Sequence, residues 1–308
     1  MRVLITGASG FLGSWFLDHF IREGGHDLWS VDIEPHPTGL PIDQVDLETF
    51  LADFDTEVDL ALHFAAPVGG RIAIERDPMY NADAFRLDSV FFRWAVKHAQ
   101  QAVYPSSSAI YPTALQGSQG HRLLQEGHID VRNTSWGAPD ELYGFSKLAG
   151  EIMAWKAFEK YGLSTLCIRP FSGYGPGQSF DYPIPAIARR VAQREDPLII
   201  WGGYQKRDFI YVEDIVMATI ARLTAGVSAF ETMNISSGQG TDFLTIAKGL
   251  SNLEGYEPQI TSNTEMPIGV MHRRGDNVRM TRYYQPKVPL AVGLGYVLDS
   301  IKAAAHVA

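Results

Sequence analysis

Apolar and polar positions change their period along this chain, and the changes mark out its elements. Arg2 to Thr6, Asp27 to Asp32, Val58 to His63, Ala102 to Ser106 and Thr165 to Arg169 are short apolar runs bounded by turn residues, the pattern of buried strands. Between the first two, Leu12, Phe16 and Phe20 recur every four residues and predict a helix with one apolar face. Further helices are expected from Ala82 to His98 and from about Tyr143 to Tyr161. Strands alternating with helices predict an α/β fold with a doubly wound parallel sheet. After Pro170 the pattern gives way to glycine and proline punctuation at Gly173 to Gly177 and at Gly202-Gly203, with helices between. A smaller, interleaved α/β domain is expected there, dividing the chain at about residue 171, with roughly 207–236 returning to the first domain.

Composition narrows what such a chain can be. Its 308 residues are 45% hydrophobic and 20% charged, near globular averages, which excludes a disordered chain or a collagen-like fibre. Lys+Arg 26 against Asp+Glu 35 gives a net charge of −9, the opposite of the basic footprint of a nucleic-acid or anionic-membrane binder. No nucleic-acid or membrane partner is therefore expected, and an anionic ligand needs a local cationic site. No apolar run approaches the roughly 20 residues that span a bilayer, and no signal core follows the first residues, so a cytoplasmic protein is expected. The single cysteine, Cys167, allows no internal disulfide and reads as a small buried hydrophobe in a strand. The 9 histidines show no ligand spacing, and no metal is expected.

The first candidate chemistry lies at Gly7-Ala8-Ser9-Gly10-Phe11-Leu12-Gly13, between the first strand and the first helix. Three glycines in that context make a dinucleotide fingerprint of a Rossmann-type sheet. Gly7 permits the tight turn, Gly10 lets the backbone approach a pyrophosphate, and Gly13 allows the helix to pack closely. Phe11 and Leu12 open the helix, whose N-terminus faces the phosphates with partial positive charge. Asp32 ends the second strand, where a carboxylate grips a ribose 2′-hydroxyl and repels a 2′-phosphate. NAD is thus favoured over NADP.

Tyr143 and Lys147 stand at i and i+4 of a predicted helix, on one face. A tyrosine is a poor base at neutral pH, but a neighbouring cation favours its phenolate, and the nicotinamide of NAD adds a second positive charge. Such a pair can take a proton from a sugar hydroxyl as hydride leaves the same carbon. Ser106-Ser107-Ser108-Ala109-Ile110-Tyr111-Pro112 closes a predicted strand, where a hydroxyl can donate to the reacting oxygen.

From residue 2 to about residue 300 the chain resembles the extended short-chain dehydrogenases/reductases, the NAD-dependent epimerases and dehydratases that act on nucleotide sugars. His63-Phe-Ala65-Ala66-Pro67 looks like the family motif beside the cofactor, and Asp46-Leu47 looks like its adenine contact. The stretch Arg169-Pro170 to Gln178 and the stretch Gln205 to Asp214 are similar to family signatures in the same order. By that resemblance Ser107 is the catalytic serine, with Ser108 as fallback and substrate contact, and Tyr143 and Lys147 complete the catalytic set. Lys147 also bonds the nicotinamide ribose, and Pro170 touches the cofactor. Arg207 and Arg273 are the candidates for the substrate diphosphate, since a guanidinium holds phosphate oxygens in a fork. Arg71 and Arg76 are further candidates for contact with the sugar. The family also implies a homodimer through the helices near 82–98 and 143–161.

Two departures bear on the substrate: Ser172 replaces the usual asparagine, and Trp201 to Gln205 is one residue shorter than the usual loop. The local sequence is similar to GDP-mannose 3,5-epimerase and GDP-fucose synthase, but Ala109 stands where those enzymes carry a cysteine acid/base, and their lysine partner falls near Val191. The Asp-Glu pair of the 4,6-dehydratases is Ser108-Ala109 here, and the glutamate of the uronate decarboxylases is Ala109. What remains is oxidation at C4 by NAD and return of hydride to the other face, a nucleotide-sugar 4-epimerase. A dehydrogenase, 4-ketoreductase or decarboxylase of the same family is the alternative. A non-catalytic NAD sensor is a remote one, since both Tyr143 and Lys147 are present.

Overall fold

A computed structural model describes residues 1–67, 69–70, 77–119, 121–133, 137–265 and 268–307. Arg71 and Arg76 lie outside the described residues. In chain order the elements are β1 (Arg2–Thr6), α1 (Phe11–Glu23), β2 (Asp27–Asp32), β3 (Asp43–Gln44), α2 (Leu47–Asp53), β4 (Val58–His63), α3 (Asp83–His98), β5 (Ala99–Pro105), α4 (Glu141–Tyr161), β6 (Ser164–Pro170) and β7 (Ser172–Tyr174). They continue with α5 (Pro183–Ala192), β8 (Leu198–Trp201), β9 (Lys206–Arg207), β10 (Phe209–Tyr211), α6 (Val212–Thr224), β11 (Phe230–Ile235), β12 (Thr241–Asp242), α7 (Phe243–Glu254), β13 (Ile260–Asn263), β14 (His272–Arg273), α8 (Val278–Thr281) and α9 (Leu290–Val307). The expected first, second and third strands carry the observed bounds; the other two begin or end within a few residues.

Among the described residues the main sheet has seven strands in the order β11-β6-β5-β4-β1-β2-β3, every neighbour parallel. The order reverses between β1 and β4, so the helices after these two strands go to opposite faces and a crevice opens above their C-terminal ends. One face packs Phe16, Leu17 and Phe20 of α1 with Ile215, Val216 and Ala218 of α6. The other packs Leu47 and Leu51 of α2, Phe91 and Trp94 of α3 and Ala154 and Ala157 of α4. Both faces are covered because the strands have no polar face: Val3, Leu4 and Ile5 are all fully buried. Cys167 is among the buried residues of the second layer.

A second core holds α5, α7 and α9 against β8 and β10, with Ile184, Val191, Phe209, Ile246, Leu250 and Val297 in its centre. The chain leaves the large sheet after β6, builds part of this lobe, and returns through α6 and β11, which pairs β6 from Phe230↔Thr165 to Ile235↔Pro170. The two lobes face each other across the crevice. No helix among the described residues is long and apolar enough to cross a membrane.

Candidate active site

A cleft of about 710 Å³ runs over the C-terminal ends of β1, β2, β4, β5 and β6. Gly7, Gly10, Phe11, Leu12, Gly13, Asp32, Asp46, Leu47, Ala65, Ala66, Ser107, Tyr143, Lys147 and Pro170 all line it. Residues separated by more than 160 positions thus meet on one surface, which follows from the parallel sheet: each strand delivers its last residues to the same edge.

The turn after β1 shows why it needs glycine. Gly7 has φ 70, in the left-handed region that L side chains rarely adopt, and a Cβ there would overlap the backbone of Phe64 and Ala65. A Cβ on Gly13 would overlap the carbonyl oxygen of Gly7. Without side chains at these positions, α1 begins close against the turn and its free N–H groups point over it. The Asp32 carboxylate accepts from the Ser9 N–H at 2.9 Å and the Glu34 N–H at 3.1 Å, fixing the end of β2 to the glycine turn. Asp46 caps α2, accepting from the Glu48 and Thr49 N–H groups at 3.1 Å each. Its hydrogen bonds to Thr49, led by the hydroxyl, hold its carboxyl below the usual carboxylate range.

The opposite end of the cleft brings together the candidate reacting groups. Ser107 Oγ accepts the Ala109 N–H at 3.1 Å, as cap of a short 3₁₀ turn, which leaves its own O–H to donate elsewhere. Ser106 also lines the cleft, and its Oγ is buried with no hydrogen-bond partner among the described residues. Ser108 is buried and stands outside the lining. Tyr143 and Lys147 lie on the first two turns of α4. The helix approaches the serine segment this closely because residue 144 is glycine: a Cβ there would overlap the Ala109 carbonyl oxygen. Lys147 is 4% exposed and its Nζ sits 5.2 Å from the centroid of the Tyr104 ring.

Arg207 and Arg273 are not part of the cleft lining. Arg273, on β14, gives its guanidinium to Asp140 Oδ2 at 2.6 Å and Gln116 Oε1 at 2.7 Å. Asp140 is the N-cap of α4, so this pair ties the second lobe to the start of the helix that carries Tyr143. Arg207 donates to the carbonyls of Lys206 at 3.0 Å and Ile268 at 3.1 Å.

Several lining residues escaped the sequence reading. Ser179 and Tyr182 come from the second lobe, and Tyr80 and Arg86 from the start of α3 and the short 3₁₀ turn before it. Arg86 also reaches Glu48 at 2.8 Å, across from α3 to α2 beside Asp46. The Gly173 to Gln178 stretch was a visible signal for the neighbouring part of the wall; nothing in the local sequence marks Arg86 or Tyr182. Burial pushes the Tyr182 hydroxyl up, and the nearby Tyr143 pushes it the same way.

A glycine turn at a helix start, a carboxylate at the end of β2 and a Tyr/Lys helix in one crevice have the geometry of a dinucleotide site. Comparison with known proteins agrees: residues 3–236 match the NAD dependent epimerase/dehydratase family, and the chain belongs to it. A Bacillus subtilis (strain 168) protein, called an uncharacterized UDP-glucose epimerase, is 26% identical over 96% of this chain and 96% of its own length. The dTDP-4-dehydro-6-deoxy-D-allose reductase of Streptomyces bikiniensis is 28% identical over 95% of this chain and 93% of its own. A solved UDP-glucose 4-epimerase from Thermotoga maritima superposes with a TM-score of 0.85 at 21% identity, covering 99% of this chain and 100% of that one. The family is NAD-dependent, and NAD is the cofactor. The glycine turn, whose Cβ-free surface a dinucleotide can approach, and the Asp32 carboxylate fit it.

Proposed function

We propose that the chain is an NAD-dependent nucleotide-sugar 4-epimerase. The observation that carries this reading is the make-up of one wall of the cleft: Ser107, Tyr143 and Lys147 line it together, while Ala109 beside them is a buried alanine with no proton to exchange. Chemistry confined to C4 needs only the first three. Abstraction at C3 or C5 needs a further acid/base there.

The glycine turn and the start of α1 hold the pyrophosphate, Asp32 the adenosine ribose, and Asp46 with Leu47 the adenine end. Bound NAD supplies a reversible acceptor for the hydride of the sugar's C4. Tyr143 takes the proton of the C4 hydroxyl as that carbon becomes a ketone, and gives it back when the ketone is reduced from the opposite face. Ser107 donates its O–H to the same oxygen. Lys147 provides the positive charge that favours the Tyr143 phenolate and binds the nicotinamide ribose. Residues 1–171 with about 207–236 hold the cofactor, and 172–308 the sugar nucleotide. Arg207 and Arg273 receive the diphosphate, which requires Arg273 to exchange Asp140 for phosphate oxygens. The enzyme works as a homodimer joined through the outer faces of α3 and α4.

A second reading, a 4-ketoreductase or dehydrogenase using the same residues, is favoured by the reductase from Streptomyces among the relatives. The two separate in one experiment. With NAD and individual UDP-, GDP-, CDP- and dTDP-sugars in deuterated water, a 4-epimerase inverts C4 without deuterium entering the sugar and without net NADH. Accumulating NADH would establish the dehydrogenase; deuterium at C3 or C5 would refute both.

A further inference from the structure

Beneath Lys147 lies a chain of buried polar groups that the proposed reaction does not use. Thr6 at the end of β1, His63 at the end of β4, Asp88 in α3 and Tyr104 in β5 are each 1% exposed or less. The Tyr104 hydroxyl donates to Asp88 Oδ2 at 2.7 Å. His63 Nε2 lies 3.2 Å from Asp88 Oδ1, and its Nδ1 lies 2.8 Å from Thr6 Oγ1. The His63 ring is stacked on Phe91 at 4.1 Å between centroids, which fixes its plane.

The charges of this layer can be accounted for group by group. Burial pushes the His63 imidazole below its usual value and outweighs the pull of Asp88, so at pH 7 the ring is neutral. It donates from Nε2 to Asp88, accepts the Thr6 hydroxyl at Nδ1, and does not cancel the carboxylate. Burial, reinforced by Asp88, pushes the Tyr104 hydroxyl up, and burial does the same to the Cys167 thiol of β6, so both stay protonated. Glu151, one turn beyond Lys147 in α4, takes Arg169 of β6 in a fork of 2.8 Å and 2.7 Å bonds, a pair that neutralises itself. Two charges in this layer are left without a neutralising partner among the described residues: the Asp88 carboxylate and the Lys147 ammonium, both in contact with Tyr104.

We propose that Asp88 is the counter-charge of Lys147, acting through the Tyr104 ring as a positioning residue for the cofactor site. A carboxylate bonded directly to the ammonium would occupy its N–H donors. A ring face attracts the charge without accepting a directed bond of that strength, so the donors remain available to the cleft. Donation of the phenol to a carboxylate raises the electron density of the ring and deepens that attraction. The inference rests on the reading that Lys147 serves the cofactor ribose and Tyr143.

The test is the pH dependence of NAD affinity, measured by calorimetry without any sugar. In the wild type the affinity falls toward high pH, and Lys147→Met removes that fall. Asp88→Asn keeps the side chain's size and an acceptor for Tyr104 while deleting the charge. Because the lost negative charge no longer favours the ammonium, the fall moves to lower pH, by about one unit. Tyr104→Phe, which keeps the ring but unlinks it from Asp88, moves it the same way by less. A fall that stays in place in a cooperatively melting Asp88→Asn protein overturns the proposal. If that variant does not fold, an unmoved fall in Tyr104→Phe does so. A fall that survives Lys147→Met removes the role of Lys147 and the inference with it. Absence of C4 inversion with the shifts as described leaves the inference standing and refutes only the proposed reaction.

Discussion

Tyr143 and Lys147 illustrate how far single residues can be read from sequence. Their spacing placed them on one helical face, and the structure puts that face on the cleft, because Ala154 and Ala157 further along the helix bury its inner side against the sheet. Asp32 was legible for a similar reason: its place at the end of the second strand is a matter of counting. Arg273 was legible only as a candidate guanidinium; its pairing with Asp140 depends on a neighbour 133 positions away. At this scale the expected outcome for Tyr143→Phe is a fall in turnover of about 10²- to 10⁴-fold, the usual contribution of a positioned acid/base. NAD affinity, measured by calorimetry, stays within a few-fold of the wild type. Full turnover in the variant would remove Tyr143 from the chemistry.

The elements add constraints that no single residue carries. Helix α4 can lie on the serine segment only because Gly144 leaves room for the Ala109 carbonyl. Gly144→Ala must therefore push the helix away from Ser107, with an expected loss of about 1–3 kcal/mol in stability from overpacking and a larger fall in kcat than in NAD affinity. Denaturant melts and steady-state kinetics check both. Asp208, between β9 and β10, ties three segments together: it accepts from Ser237 N–H at 2.8 Å and its hydroxyl at 2.7 Å, and from the Gly238 and Gly275 N–H groups at 3.1 Å each. Burial outweighs these bonds and raises its carboxyl to about 6. A native state that holds the proton more tightly than the unfolded chain gains most below about pH 4, and that gain is lost as pH rises through 6. Asp208→Asn does not titrate, so the wild type's stability advantage over it narrows between pH 4 and 6, read as the difference in Tm. A constant or widening difference would contradict the assignment.

At the scale of the molecule, the alternation of strands and helices made the parallel sheet legible, since only a sheet covered on both faces asks for strands as apolar as Val3-Leu4-Ile5. The proposed dimer belongs here. Phe145, 48% exposed on α4 beside Phe85, is part of the surface that would be covered. The wild type is expected to run at twice the 34.1 kDa of one chain in light scattering, and Phe145→Glu at once that mass. A monomeric wild type would dismiss the interface. The second lobe was much less legible. Its strands are two to four residues long, too short for a period to show, and they are held by α5, α7 and α9 in a core assembled from segments far apart in the chain.

The sequence by itself determined which residues could bind a dinucleotide and move a proton, because those requirements are local: a turn that needs glycine, a strand end, a four-residue helical step. It also determined the covered parallel sheet, through runs of apolar residues that leave no face for water. Only the tertiary structure decided which polar groups share the cleft and which charges compensate one another. Tyr182 and Arg86 reach the site, Arg273 is held by Asp140, and Asp88 stands behind Lys147, because strands distant in sequence are adjacent in the sheet. Electrostatic and steric interactions act through space, and their partners are set by that adjacency.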